Sequence, residues 1–191
     1  IAPKKYWDLY DRNDISLPYN NFFPPSAPKK ANYFYEIRKF TDIPDEGPIT
    51  DSKAKELIHA YYACVSYIDA QIGLIIDELD NQDLTDNTTI ILTSDHGFSL
   101  SEHGRWTKHN LFQYELKIPM IISSPKYKKN KTSESFVELV DLYPTFCEIA
   151  GLEIPSFAQG KSLINNLKNP KKITNDIAFS RWQNGETLIS N

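Results

Sequence analysis

Between residues 51 and 80 the apolar positions repeat with a helical period. Tyr61, Val65, Ile68, Ile72, Ile75 and Leu79 follow one another at alternating steps of four and three. That spacing predicts one helix with a single apolar stripe along one face. Thr50 or Asp51 can cap its start. Ala60, Ala63, Ala70 and Gly73 are small and would allow close approach to a sheet. Residues 81–87 are polar and read as a turn.

Beyond that turn the pattern shortens. Thr89 to Thr93 is almost all β-branched or apolar, which predicts a strand covered on both faces. Pro119 to Ser123 predicts the next strand, with proline at its first position. Phe136 to Val140 fits either type, with a short strand favoured. Asp141 can cap a helix running to Ile149, with Pro144 in its first turn and Gly151 as its stop. Ile177–Ser180 and Thr187–Ile189 predict two further strands. The order helix, strand, strand, helix, strand is α/β alternation.

Residues 1–50 show neither period. Prolines at positions 18, 24, 25, 28, 44 and 48 exclude long helices, while many Tyr and Phe argue against a flexible linker. An ordered, irregular loop is expected, its aromatic rings packed on a neighbouring surface. The resulting division is 1–50 as irregular loop, 51–170 as the main α/β portion, and 171–191 as the start of a smaller subdomain. The sequence opens without methionine and closes just after a strand-like stretch, so both ends read as cut from something longer.

Composition adds exclusions. With 40% hydrophobic and 24% charged residues in 191, the chain is of ordinary globular type. A net charge of −4 offers no basic face for nucleic acid, and the one dense basic run, residues 126–131, reads as a solvated loop. No stretch is long and apolar enough to span a membrane. Cys64 and Cys147 lie far apart within helical patterns and read as buried free thiols.

The chemistry concentrates between Thr89 and Lys108, where the strand breaks into Ser94, Asp95, His96 and Gly97. A carboxylate and an imidazole at the carboxyl end of a strand, with a lysine close behind, is how an open α/β sheet presents a ligand site. A metal-bound oxyanion, a sulfate or phosphate ester, fits these groups. The carboxylate of Asp95 suits a hard divalent cation. His96 can ligate the metal or donate to a substrate oxygen; imidazole suits zinc or manganese better than calcium. Lys108 would neutralise charge on non-bridging oxygens. Each has a plain alternative: an Asp-Gly-type turn with a surface histidine, and a solvated lysine. His103 and His109 read as proton donors, orienting groups or loop residues. Phe98 and Trp106 can wall a sugar pocket or pack into the core. The histidine spacings of seven and six match no short zinc motif. No nucleophile elbow, P-loop or dinucleotide fingerprint is present.

Taken together, residues 93–97, Glu102-His103-Gly104, Trp106 and Lys108 resemble the type I sulfatases of the alkaline-phosphatase superfamily, and most nearly their iduronate-2-sulfatase-like branch. Residues 61–73, Lys117-Ile118-Pro119, Val140 to Thr145, Ala150 to Leu152 and Gly160 to Leu163 resemble further family segments in the family's order, as does the opening 3–7. Ser101 stands where the family pattern has glycine.

The resemblance implies an alkaline-phosphatase-like α/β/α sandwich with a mostly parallel central sheet, represented by a fragment. It implies calcium, rather than magnesium or another divalent ion, held by Asp95 and His96. Lys108 would be the catalytic contact to the sulfate, with Phe98 and His103 toward the substrate, a sulfated carbohydrate. It implies a formylglycine nucleophile made from a C/S-x-P-x-R motif. Neither Cys64 nor Cys147 fits that motif, and Ser26-Ala-Pro-Lys-Lys30 has lysine where arginine belongs. The nucleophile and the remaining metal ligands are therefore expected in the remainder of a sulfatase chain, and the 191 residues alone are expected to be inactive. An exported or lysosomal location follows by family analogy, and Asn87-Thr88-Thr89 and Asn130-Lys131-Thr132 match the glycosylation sequon. A phosphoester hydrolase of the same superfamily and a non-catalytic sulfatase-like carbohydrate-binding protein are the alternatives.

Overall fold

Thr50 accepts a hydrogen bond from the Lys53 N–H at 3.3 Å and opens the longest helix of the computed structural model. The structure describes residues 2–32 and 35–190, which form two units interleaved along the chain. The first comprises residues 1–86 and 96–118, the second residues 87–95 and 119–191.

In the first unit, helix α1 (Lys4–Trp7) precedes helix α2 (Asp51–Asn81). The core gathers Ile15, Ile37 and Ile43 from the irregular region with Ala54 and Ile58 of α2 and Trp106. The proline-rich segment is thus ordered, as expected, but its isoleucines rather than its bulkiest rings fill the core. Tyr19, Phe22, Tyr35 and Phe40 stay exposed. The rings of α1 do pack on α2: Trp7 stacks on His59 at 3.9 Å, and His59 Nε2 donates to the Trp7 carbonyl. Those contacts bury Ala54, Ile58, His59 and Ala63. The apolar stripe expected to be covered lies elsewhere on the helix: Val65 and Ile68 are each 54% exposed and Ile75 64%. Among the described residues the ring contacts of α1 extend along α2 to Tyr67, and no residue of α2 beyond Ala63 is buried.

The first unit also holds strands β2 (Ser99–Leu100) and β3 (Trp106–Thr107), paired antiparallel, and the short helix α3 (Gln113–Leu116).

In the second unit, strand β1 (Ile90–Thr93) pairs antiparallel with β4 (Met120–Ser123), Ile90 opposite Ser123. Both lie where the sequence puts them. Leu92 is 38% exposed, so β1 is not covered on both faces. Helix α4 (Leu142–Ala150) ends at Gly151, whose φ of 72° suits the left-handed cap. Helix α5 (Ile164–Lys168) and the hairpin β5 (Ile177–Trp182) and β6 (Gly185–Ser190) complete it.

Two expectations are corrected. Residues 136–140 form no strand. The Asp141 carboxylate accepts from the Glu138 N–H, and residues 139–141 turn as a 3-10 helix. Asp141 occupies the cap position of α4 without capping it by its side chain, because its other oxygen accepts from the Lys161 N–H at 2.7 Å. The mostly parallel central sheet is likewise not seen: every pairing among the described residues is antiparallel and two-stranded. A parallel pair needs a crossover that carries the chain back to its starting end. The hairpin and the return from β1 to β4 reverse direction instead.

Cys147 is buried, Cys64 half-buried, and both are free thiols. Among the described residues no helix is long and apolar enough to cross a membrane.

Candidate functional site

The candidate segment begins where β1 stops. Asp95 follows two residues after Thr93 and is exposed. The chain passes from the second unit to the first at the bond between Asp95 and His96.

His96 is half-buried, and its Nδ1 lies 2.7 Å from the Gly97 carbonyl. A carbonyl only accepts, so Nδ1 carries the proton and the ring's lone pair resides on Nε2. This is the tautomer a metal-ligating histidine uses when its other nitrogen is held by a carbonyl. Gly97 itself donates its N–H to the Glu115 carbonyl at 2.8 Å. A Cβ there would overlap the Tyr114 carbonyl, so only glycine lets this loop lie against α3.

After Gly97 the chain is tied at almost every residue. The Ser99 hydroxyl donates to the Glu115 carboxylate. The Leu100 N–H donates to the Glu102 carboxylate at 2.5 Å. Ser101 and His103 have φ of 86° and 54°, and the His103 N–H donates to the Asn20 carbonyl at 2.7 Å. The His103 ring stacks on Phe112 at 4.9 Å and tilts against Tyr114. Phe98 packs on Tyr61 of α2 at 5.3 Å. Trp106 is a core residue, which settles its two readings in favour of packing. Thr107, directly before Lys108, is buried with φ of 72°, a conformation β-branched residues rarely adopt.

Lys108 is partly exposed, and its ammonium lies 3.7 Å from a Glu36 oxygen. The other Glu36 oxygen lies 3.2 Å from His109 Nδ1. Glu36 thus gathers Lys108 and His109, a grouping the sequence did not reveal because Glu36 sits in the irregular region, 72 positions before Lys108. Arg105 is wholly buried, donates to the Ala31 carbonyl and lies over the Phe112 ring. Burial pushes its guanidinium below the usual value, and the charge of Glu115 opposes that shift. Arg105 and Glu115 were also missed. Glu115 is the one acidic residue of the run 111–119, but that run also holds Gln113 and Lys117, so the sequence did not set it apart.

The donor set bears on a divalent ion as follows. Asp95 offers a hard oxygen and His96 an imidazole in the appropriate tautomer, and both fit as part of a site. Six to eight oxygen ligands are usual for calcium. Among the described residues no three His, Cys, Asp or Glu side chains cluster as metal ligands.

The family model described as Sulfatase matches residues 10–152. A sulfatase of Formosa agariphila is 31% identical over 186 residues, covering 95% of this chain and 36% of its own. Iduronate 2-sulfatase of Mus musculus is 31% identical, covering 80% of this chain and 34% of its own. The phosphonate monoester hydrolase of Silicibacter pomeroyi superposes with a TM-score of 0.80 at 27% identity, over 94% of this chain and 37% of its own. A protein solved in complex with its substrate D-glucosamine-2-N,6-O-disulfate superposes at 0.69 and 30% identity, over 74% of this chain and 32% of its own. The chain spans about a third of the length of the curated relatives it matches.

Proposed function

The chain belongs to the sulfatase family of the alkaline-phosphatase superfamily, and from that premise we propose that it supplies part of the site of a sulfuric ester hydrolase acting on sulfated glycans. The observation that carries the reading is the His96 ring, held by the Gly97 carbonyl with its lone pair on Nε2, immediately after the Asp95 carboxylate. Support for the substrate class comes from relatives: one is named for iduronate sulfate chemistry and one was solved with a disulfated glucosamine.

In this reading Asp95 and His96 contribute ligands to a calcium ion, which when bound neutralises charge on the transferring group. His96 keeps its proton on Nδ1, which leaves Nε2 to face the ion. Lys108 exchanges its Glu36 contact for a non-bridging sulfate oxygen and stabilises charge there. His103, stacked between Phe112 and Tyr114, and Phe98, packed on Tyr61, shape the substrate side. The nucleophile is a formylglycine supplied from outside these 191 residues.

A second reading has one specific observation in its favour. The likeness to a phosphonate monoester hydrolase, at a TM-score of 0.80, points to a phosphoester or phosphonate ester as the anion. The deciding experiment compares kcat/KM of the intact protein for an aryl sulfate and for an aryl phosphonate monoester. The sulfatase reading expects the sulfate to lead. A preference for the phosphonate would overturn it. Lys108→Ala is expected to lower kcat/KM about 10²–10³-fold, the usual effect of removing one oxyanion contact.

A further inference from the structure

We propose that Glu115 is the positioning residue for the loop that carries His96 and Lys108, a role that rests on the sulfatase reading of that loop. Glu115 is 2% exposed, on the four-residue helix α3. It grips the loop near both ends. Its carbonyl accepts from the Gly97 N–H at 2.8 Å, one residue after His96. Its carboxylate Oε1 accepts from the Ser99 hydroxyl and from Asn110 Nδ2, the latter at 2.6 Å. Asn110 then passes the constraint to the lysine: its own N–H donates to the Lys108 carbonyl at 2.9 Å.

The charge type matters. A carboxylate can only accept, whereas Ser99 and Asn110 can each donate or accept. Facing Glu115, both must donate. The Asn110 amide is thereby oriented, and its Oδ1 receives the Phe112 N–H at 2.7 Å. Burying a carboxylate is costly unless it is hydrogen-bonded and paired. Here Oε1 has two donors and the buried Arg105 guanidinium feels the Glu115 charge, while Oε2 is buried with no hydrogen-bond partner among the described residues. A residue required only to fill space at α3 would be apolar. An acceptor with this reach organises the two segments that flank the loop. Gly97 completes the arrangement, because nothing larger lets the loop lie close enough to reach the Glu115 carbonyl.

The test uses the intact protein and its Glu115→Ala and Glu115→Gln variants. Four quantities are read: calcium affinity by calorimetry, kcat and KM on an aryl sulfate, thermal midpoint, and amide exchange at Gly97 and Asn110. For Glu115→Ala the proposal expects a 10–100-fold loss in calcium affinity or kcat, the range seen when support behind a ligand is removed. KM is expected to change less, with faster exchange at both amides. Glu115→Gln keeps an acceptor oxygen and is expected to recover most of each loss. A Glu115→Ala protein with a lowered thermal midpoint but wild-type affinity, kcat and local exchange would overturn it. Should Glu115→Ala not fold, Asn110→Ala and Ser99→Ala each remove one donor and are read the same way. A wild-type protein that neither binds calcium nor hydrolyses sulfate esters would defeat the sulfatase reading. Exchange at Gly97 and Asn110 then decides the positioning role: faster in Glu115→Ala sustains it, unchanged refutes it.

Discussion

Ser101 has φ of 86° and is almost fully buried, in the left-handed region where a Cβ costs roughly 1–2 kcal/mol. The position is the one at which the family pattern has glycine. Ser101→Gly relieves that strain while adding freedom to the unfolded chain, which offsets part of the gain. A net stabilisation of about 0.5–1 kcal/mol is expected by urea unfolding. A loss of stability would show that the serine hydroxyl contributes more than its conformation costs. At this scale the sequence was uneven in what it disclosed. Gly97 and Ser101 could be read because the residue type answers to local backbone geometry. Glu36 and Glu115 could not, since each acts through partners brought close only by folding, 72 and 16 positions away.

Elements were more legible where their signal is local. The limits of α2, the start of β4 and the stop of α4 at Gly151 follow from capping and turn residues. The 136–140 segment misled because its apolar pattern says nothing of the carboxylate that folds it. Asp141 holds the Glu138 and Lys161 N–H groups together. Thr145 adds to this junction, donating to the Asp141 carbonyl and accepting from the Leu163 N–H. This is why the Val140–Thr145 and Gly160–Leu163 segments belong to one structural piece. Asp141→Ala leaves two N–H groups without that acceptor. A loss of about 1–3 kcal/mol is expected in chemical denaturation. An unchanged midpoint would mean that water replaces the carboxylate.

The start of α2 offers a pH test. The Lys53 ammonium hydrogen-bonds Asp42 at 2.8 Å and holds its carboxyl below the usual 3.8. A lowered folded value means this contribution is present above about pH 3.8 and lost as pH falls through the folded value. Lys53 is raised from 10.5, by Asp42 first and Glu56 next, so its share is lost only as pH rises beyond that. Asp42→Asn is therefore expected to lower the thermal midpoint at pH 7, with the difference from wild type closing below pH 3.8. Added salt shrinks the difference, since Asp42 is exposed and Lys53 partly so. A gap that persists at pH 2 would show that charge is not its source.

At the scale of the whole molecule, composition and patterning pointed to the class and the motifs to the family, but not to the sheet. The strands at 90–93, 120–123, 177–182 and 185–190 fell where expected, the one favoured at 136–140 did not form, and the parallel pairing was not seen, because period and propensity describe one strand and pairing depends on distant chain. The same limit applies to burial: the exposed Val65, Ile68 and Ile75 carry a perfect helical period that says nothing of what covers them. The account rests on Asp95 and His96 as ligands of a divalent ion. Calcium titration by calorimetry, comparing the intact protein with its Asp95→Asn variant, tests this most directly. The account predicts a single saturable site in the wild type that Asp95→Asn weakens at least about tenfold, the loss of one charged oxygen ligand. Equal affinity in the two proteins, or no binding in either, would contradict it.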